Sequence, residues 1–190
     1  MLSRPIRRCT WATNERLIQY HDVEWGVPLH DDQRLFEFLV LEGVQAGLSW
    51  HIVLQKREAF QQAFDQFSAE RMAQYAAPKI RELLSNASII RNRLKINSAI
   101  QNARAYLAIQ QEYVSFDEYI WQFVGHQPII NYWKTAKDVP CYTKESVVMS
   151  KDLKRKGFSF VGATICYAFM QATGMVNDHT VDCHRHKELA

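Results

Sequence analysis

The amino-acid sequence predicts an all-α fold of about eight to ten helices. Apolar residues recur at three- and four-residue spacing in several segments, which is the period of an amphipathic helix. Capping residues stand at the starts of some of these segments, and no segment shows the apolar–polar alternation of a half-buried strand. With 190 residues, 47% of them hydrophobic, the chain can form one compact domain or two small lobes around a shared core.

The predicted helices follow an N-terminal segment, residues 10–30, that is rich in aromatic side chains. The main buried helix begins near Asp31 or Asp32, either of which can cap it, and the chain is apolar on every side between residues 35 and 54. Residues 125–142 form a long irregular connection before the last helices. Between these segments, helices are predicted at Lys56–Phe67, from Pro78 through Leu84, from Ile96 to Leu107, and from a capping box of Ser115 and Glu118 to near Phe123.

Composition excludes some classes of protein. The longest uncharged apolar run, Val161 to Met170, is too short to span a bilayer, and the arginines near the N-terminus have no apolar stretch behind them. We therefore expect a cytoplasmic protein with no membrane partner, whose four cysteines are thiols or metal ligands rather than disulfides. A net charge of +3 and a pI near 8.7 are compatible with nucleic-acid binding but do not require it.

Glu42 is the candidate functional side chain, because it stands inside the apolar segment with no charged neighbour on its helical face. The alternative is a carboxylate that reaches solvent at a helix bend, since a buried unpaired carboxylate is costly. Gly43 and Gly47 remove side chains from the same surface and so favour the close approach of a ligand. A carboxylate in an aromatic pocket of low dielectric favours a positively charged ring.

A basic hairpin is predicted at residues 151–164. A basic helix ends at Gly157, a tight turn follows, and an apolar helix begins near Gly162, so that backbone N–H groups lie beside several cations. The alternative is an ordinary helix connection with a solvated basic face. A second basic turn at residues 91–95 favours a surface for the DNA backbone, with binding that depends on salt but not on sequence.

A metal site is a weaker prediction from spacing alone. His179 and Cys183 are four residues apart and would share one face of a helix, which fills half of a tetrahedral zinc site. Cys9 and His21 could supply the other half and so join the two ends of the chain. The competing candidates for the last ligand position are His184 and His186.

Seven segments in a fixed order carry a resemblance to a known family. They are RCTW at 8–11, YHDVEWGVP at 20–28, LEGVQAGLSW at 41–50, IIR at 89–91, NARAY at 102–106, GFSFVG at 157–162 and VNDH at 176–179. Together they resemble the DNA-3-methyladenine glycosylase I family, within the helix-hairpin-helix DNA glycosylase superfamily. The resemblance implies one compact, two-lobed helical domain over residues 1–190, with a helix-hairpin-helix element at about 144–173.

The resemblance also implies an activity and a cofactor. The activity is flipping and hydrolytic removal of 3-methyladenine from double-stranded alkylated DNA by a monomer, which leaves an abasic site. The cofactor is one structural zinc per chain, which joins segments 9–21 and 179–183. The implied zinc ligands are Cys9, His21, His179 and Cys183. The implied base site comprises the catalytic Glu42 with Tyr20 and Trp50, and more loosely Trp11 and Trp25. The DNA-backbone residues are Lys154, Lys156, Gly157, Ser159, Gly162 and Arg91.

The sequence departs from the superfamily at two positions. Members that also cleave the strand carry a lysine where this chain has Thr164, so we expect no Schiff base and no lyase activity. Many members place a catalytic aspartate where this chain has Asn177, with Asp178 beside it, which leaves the group that stabilises the sugar cation open.

Two other classes of function remain open on the residues. A non-catalytic DNA-binding module would need only the hairpin, whereas an enzyme requires Tyr20, Trp50 and Glu42 in one cavity. A zinc hydrolase would use His21, Asp22 and His179 around an open metal, and a fourth protein ligand would exclude it.

Overall fold

The computed structural model describes residues 6–190, and this part of the chain is mostly helical. Ten α-helices are accompanied there by two short 3-10 turns, Asp65–Phe67 and Gln122–Val124, and by two strands of two residues each. In chain order, the helices are α1 Glu15–Val23, α2 Asp32–Gln45, α3 Trp50–Ala63, α4 Ala69–Met72, α5 Ala77–Ser85, α6 Arg93–Glu112, α7 Phe116–Trp121, α8 Lys144–Arg155, α9 Ala163–Ala172 and α10 His184–Glu188. The strands are β1 Ile129–Ile130 and β2 Val176–Asn177.

Side-chain caps fix where several helices begin. Asp31 accepts a hydrogen bond from the backbone N–H of Arg34, which confirms the predicted start of α2. Ser115 caps α7 through the N–H of Glu118, as its spacing predicts. A capping box that the sequence analysis did not identify, in which Thr143 is the N-cap, begins α8.

The apolar segment between residues 35 and 54, whose pattern is that of a buried core helix, is divided into α2 and α3. Gly47 adopts φ +78° in the break, a left-handed conformation that glycine accepts without strain. Lys95 from α6 donates hydrogen bonds to the carbonyl oxygens of Val44 and Ala46, which satisfies the end of α2. The break turns the chain so that Trp50 starts a new helix beside α2.

The predicted helix Lys56–Phe67 is also placed incorrectly. Its N-terminal part belongs to α3, which begins at Trp50, and α3 ends at Ala63. The last three residues, Asp65–Phe67, form a left-handed 3-10 turn with φ between 50° and 58°. Phe67 is nevertheless fully buried, so packing outweighs the local backbone preference there.

The two short strands are a feature that the sequence does not predict, since two residues cannot show alternation. They pair in parallel, with Ile129 opposite Val176 and Ile130 opposite Asn177. This pairing ties the long connection 125–142 to the segment that follows α9.

The centre of the fold is α2, which is buried along nearly its whole length. It packs against α3, α6, α7 and α9, and its apolar residues belong to one continuous core cluster. Glu42 lies in the last turn of this buried helix, so the fold holds a carboxyl group deep in the protein. None of the helices in residues 6–190 is long and apolar enough to cross a membrane.

Candidate functional site

A cavity of about 310 Å³ opens between α1, α2, α3 and α9. This volume lies at the small end of the range for ligand pockets, roughly 300–1,000 Å³. All five residues that the resemblance assigns to the base site line this one cavity. The lining residues are Trp11, Leu17, Tyr20, Trp25, Glu42, Gln45, Ser49, Trp50, His51, Ala168 and Gln171.

Aromatic rings form the walls of the cavity. The ring centroids of Tyr20 and Trp50 lie 5.5 Å apart, and those of Trp11 and Tyr20 lie 6.2 Å apart. Trp11 packs edge-on against Trp25 at 5.0 Å. Such rings present apolar faces with negative electrostatic potential, so the walls favour a flat and electron-poor ligand.

Glu42 supplies the carboxyl group of the cavity. Glu42 is 4% exposed, and burial raises its pKa to about 8, because no cation or hydrogen bond from the described residues offsets the loss of solvation. None of the described residues donates a hydrogen bond to its oxygens, and these oxygens are not sealed off by protein. The carboxyl group therefore remains free for a ligand, and with this raised pKa it is mostly protonated at neutral pH.

Tyr20 responds to the same environment. Its pKa is well above the ordinary value, first because the phenol is buried and then because the Glu42 carboxyl group is near. The hydroxyl group therefore stays neutral, and the ring acts in the wall of the cavity as an uncharged surface.

Each of the two glycines near Glu42 has a role in the backbone. A Cβ on Gly43 would lie 3.3 Å from the Cβ of Phe160, so the missing side chain lets the α8–α9 turn pack on α2. Gly47 has open space around its Cα, and its left-handed backbone makes the break between α2 and α3. The expectation that Gly43 admits a ligand is therefore wrong, whereas the same expectation for Gly47 stays a prediction.

A second site is a buried cluster of two cysteines and two histidines. One ligand atom from each of Cys9, His21, His179 and Cys183 lies within 4.8 Å of all the others. The Cys9 and Cys183 sulfurs lie 3.6 and 3.5 Å from Nδ1 of His179, and the Cys183 sulfur lies 3.4 Å from Nε2 of His21. Four soft or borderline donors at such distances fit a closed, four-coordinate metal site.

In each histidine of the cluster, the ring nitrogen that points away from the cysteines has a hydrogen-bond partner, as expected for a metal ligand. Nδ1 of His21 lies 2.7 Å from the Asp22 carboxylate, and Nε2 of His179 donates to the carbonyl oxygen of Trp25 at 3.1 Å. Each ring therefore turns its other nitrogen toward the cluster, as metal-ligating histidines do. Arg8 pairs with Asp22 and holds the pKa of that carboxyl group below its usual value.

The geometry of the cluster differs from the helical face expected for His179 and Cys183. Residues 179–182 are not helical, and Cys183 immediately precedes α10. Neither His184 nor His186 competes for the last ligand position. His184 contacts the Arg7 carbonyl oxygen and His186 contacts the Asn131 carbonyl oxygen.

Two further observations separate the alternatives. Asp22 faces the outer nitrogen of His21, so it cannot complete an open metal with His21 and His179. Asp178 is buried and accepts four hydrogen bonds, which leaves no free lone pair for a sugar cation. The donors to Asp178 are Asn131, Trp133, Tyr167 and Gln171.

The turn between α8 and α9 contains most of the predicted DNA-backbone residues. Lys154 and Gly157 are exposed and Gly162 is half-buried, whereas Lys156 pairs with Glu112 at 2.6 Å. The Ser159 hydroxyl group is enclosed and has no hydrogen-bond partner among the described residues. Arg91 is exposed just before α6.

Helix α6 holds this turn in place. The Asn102 side chain accepts a hydrogen bond from the Ser159 N–H at 2.8 Å and donates one to the Ser159 carbonyl oxygen at 3.0 Å. Gln101 donates to the carbonyl oxygen of Gly157 at 2.6 Å. These bonds fix the backbone of a tight turn in which Gly157 and Phe160 both have positive φ.

Sequence reasoning missed several residues of the cavity. Ala168 and Gln171 lie three positions apart on α9 and share one face of it. A signal was present, because Gln171 is the polar residue that directly follows the apolar run ending at Met170. His51 and Ser49 lie at the start of α3, where the break in the apolar segment was not predicted.

These features define a mostly helical protein with a carboxyl-bearing aromatic cavity beside a buried cluster of two cysteines and two histidines. The chain belongs to the methyladenine glycosylase family, whose sequence model matches residues 11–186. A DNA-3-methyladenine glycosylase 1 from Escherichia coli (strain K12) is 48% identical over 179 residues, which cover 94% of this chain and 96% of that protein.

Solved structures agree with this assignment. A crystal structure of a 3-methyladenine DNA glycosylase I is similar with a TM-score of 0.92 and 47% identity, covering 94% of this chain and 98% of that one. A Staphylococcus aureus 3-methyladenine DNA glycosylase I, studied for the structural basis of 3-methyladenine recognition, has a TM-score of 0.90 at 36% identity. It covers 93% of this chain and 95% of its own.

Proposed function

We propose that this hydrolase of N-glycosidic bonds removes 3-methyladenine from alkylated double-stranded DNA and leaves an abasic site. The family and the named relatives support the reaction. The observation that carries the proposal is the buried carboxyl group of Glu42 in a cavity walled by Tyr20 and Trp50. A non-catalytic DNA-binding module would have no need of this cavity.

The cavity requires a base that has left the DNA stack. Enzymes that act on a base within a duplex rotate the nucleotide into a pocket, which costs a few kcal/mol. Methylation at N3 gives the adenine a positive charge and makes it a good leaving group, so little acid catalysis is needed. Tyr20 and Trp50 favour the charged ring over neutral adenine by about 0.5–2 kcal/mol each.

Glu42 recognises the charge of the alkylated base. Entry of a cation brings an opposite charge near the carboxyl group, which lowers its pKa from about 8 and favours the ionised form. The carboxylate then accepts a hydrogen bond from the exocyclic amine of the base. Neutral adenine provides no such compensation for the buried charge, so the carboxylate discriminates against it.

Water completes the reaction at C1′ of the sugar. The resemblance places Thr164 where bifunctional relatives have an attacking lysine, so a Schiff base is not expected. Asp178 is fully engaged by its four donors, and Asn177 is bonded to the backbone of His186 and His179. Neither residue is assigned a chemical step, and the charge of the base supplies the driving force for cleavage.

The helix-hairpin-helix element at about 144–173 is proposed to hold the DNA backbone. The exposed Lys154, the tight turn at Gly157 and Ser159, and the start of α9 at Gly162 present cations and backbone N–H groups together. Lys156 and Arg91 add positive charge, although Lys156 is paired with Glu112. Helix α9 connects this surface to the cavity, because Ala168 and Gln171 lie further along it.

We also propose that the cysteine–histidine cluster holds one structural zinc per chain, through Cys9, His21, His179 and Cys183. Bound zinc would supply a rigid link between the two ends of the chain, and four protein ligands leave no position for water. The imidazole rings also support the cavity. Trp11 packs on His21 at 5.2 Å and Trp25 packs on His179 at 4.6 Å, so the ligands position both tryptophans.

Incubation with methylated double-stranded DNA tests the proposed reaction. The released bases are separated by chromatography, and the DNA is analysed for strand breaks without alkali treatment. We expect free 3-methyladenine and intact strands. Strand breaks would contradict the monofunctional assignment, and DNA binding without any released base would favour the binding module.

A matched variant tests the role of Glu42. Glu42→Gln keeps the shape of the side chain and removes its charge, so we expect weaker binding of free 3-methyladenine and slower release. A Glu42→Gln protein with full affinity for the free base would contradict this role.

A further inference from the structure

Gln171 lies between two adjoining cavities. Gln171 lines the base cavity, and it also lines a neighbouring space of about 170 Å³ that shares Trp11 and Trp25. Its position is fixed through the main chain, because the Gln171 carbonyl oxygen accepts a hydrogen bond from the N–H of Gly26 at 3.0 Å. Gln171 therefore moves together with the segment that carries Trp25.

Asp178 determines the orientation of the Gln171 side-chain amide. Nε2 of Gln171 donates to Oδ2 of Asp178 at 2.7 Å, and an ionised carboxylate can only accept. The carboxylate is itself held by Tyr167 at 2.6 Å and by Trp133 at 2.7 Å. A rotation of the amide by half a turn would place Oε1 against Oδ2, so the observed orientation is the stable one.

The other end of the amide has no partner among residues 6–190. None of the residues in the described part of the chain donates a hydrogen bond to Oε1 of Gln171, and protein does not enclose this oxygen. We propose that Gln171 is a further specificity-determining residue, whose Oε1 accepts a hydrogen bond from the exocyclic amine of the bound base. Asp178 is the positioning residue for this contact. The assignment rests on the proposed function and deepens it.

The chemistry selects a 6-amino base over a 6-oxo base. Glu42 and Gln171 together offer the base two acceptors, and an exocyclic amine carries two N–H donors. A carbonyl oxygen at the same position of the ring would face two acceptors and would leave both unpaired. Buried polar groups that lose their partners give strong discrimination.

Binding of two free bases tests this assignment. The dissociation constants of 3-methyladenine and of its 6-oxo analogue, 3-methylhypoxanthine, are measured by calorimetry for the wild type and for Gln171→Met. Methionine keeps the length of the side chain and removes the acceptor. We expect Gln171→Met to bind 3-methyladenine about 2- to 10-fold more weakly, which is the effect of one neutral hydrogen bond. We expect the ratio of the two dissociation constants, which measures the preference for the 6-amino base, to fall by the same factor.

A matched control and a double mutant separate this role from a structural one. Gln110→Met removes a glutamine that donates to another carboxylate, Asp32, at 3.0 Å and does not line the cavity. Asp178→Asn releases the Gln171 amide and should weaken the preference for the 6-amino base. In the double variant with Gln171→Met, we expect Asp178→Asn to have no further effect on this preference. Thermal unfolding and metal content show that each variant is folded.

The outcomes distinguish the two proposals. Wild-type protein that neither binds nor releases 3-methyladenine overturns the proposed function. Wild-type binding with an unchanged base preference in Gln171→Met overturns the assignment of Gln171 alone. Effects of Asp178→Asn and Gln171→Met that add in full overturn the positioning role of Asp178.

Discussion

The ammonium group of Lys95 lies 2.7 Å from the carbonyl oxygen of Val44 and donates a hydrogen bond to it. A second bond of 2.6 Å reaches the carbonyl oxygen of Ala46. Lys95 is buried, so these two carbonyl oxygens replace most of its water. The contact ends the helix of Glu42 and fixes the turn that leads to Trp50.

Lys95→Met should therefore lower the free energy of unfolding, since it leaves the last carbonyl oxygens of α2 without a partner. We expect a loss of about 1.5–3 kcal/mol, measured by urea denaturation, as for a hydrogen bond to a charged group. Lys151 is exposed on α8, and Lys151→Met is the control with an expected change within about 0.5 kcal/mol. Equal stability of the two variants would contradict the proposal that Lys95 stabilises the end of α2.

Glu42 should make the protein less stable as pH rises. Its pKa is about 8 in the folded protein, against an ordinary value of 4.5, so the folded state retains a proton that the unfolded state loses. Between these values the folded state binds one more proton, and the free energy of unfolding falls by about 1.4 kcal/mol per pH unit. Below about pH 4.5 and above about pH 8 this contribution is constant.

The stability of the wild type relative to Glu42→Gln, measured by urea denaturation from pH 5 to pH 8, isolates this contribution. Other titrating groups, including those of the metal cluster, cancel in the difference. Glu58 is exposed, and Glu58→Gln is the control for the same substitution at the surface. A flat difference for Glu42→Gln would mean that the carboxyl group is ionised in the empty cavity.

The burial of Glu42 could be predicted because it depends on residues that are close to Glu42 in the sequence. A helix places residues three and four positions apart on one face, and these neighbours carry no charge. The metal cluster could not be predicted from spacing, since Cys9 and His179 approach from opposite ends of the chain through tertiary packing. The resemblance supplied that set.

Features that depend on the backbone conformation of a single residue or turn could not be predicted from the sequence. The break at Gly47 and the left-handed turn at Asp65–Phe67 follow from how α2 and α3 pack, and a helical period shows neither. The orientation of the Gln171 amide is also set by tertiary contacts, because its partner Asp178 lies in another segment.

Loss of one cluster cysteine should abolish stoichiometric metal binding. We expect about one zinc per chain in the wild type by atomic emission and little in Cys183→Ala, because three ligands leave the site open to water. The melting temperature falls, and binding of 3-methyladenine weakens because Trp25 packs on His179. Cys141 is exposed, and Cys141→Ala should retain the metal. Full zinc content in Cys183→Ala would show that the ligand set is different.

Lys154 should contribute to the salt dependence of DNA binding. Each phosphate that a cation neutralises adds about 0.9 to the slope of log affinity against log salt concentration. We therefore expect Lys154→Met to reduce the magnitude of the slope by about one for any duplex sequence, as fluorescence anisotropy measures it. An unchanged slope would place Lys154 outside the DNA surface.

The ion pair with Glu112 should make Lys156, the second cation of the hairpin, less available to DNA phosphates. Lys156 lies 2.6 Å from the Glu112 carboxylate and 5.3 Å from the centre of the Tyr113 ring, so DNA must compete for it with two partners. Glu112→Gln removes a negative charge beside the phosphates and releases Lys156. We expect tighter binding to undamaged duplex DNA at low salt and a steeper salt slope than in the wild type. The gain should disappear in the double variant with Lys156→Met, because the released cation is then absent. A gain that persists there would come from the removed carboxylate alone, and Lys156 would have no contact with the phosphates.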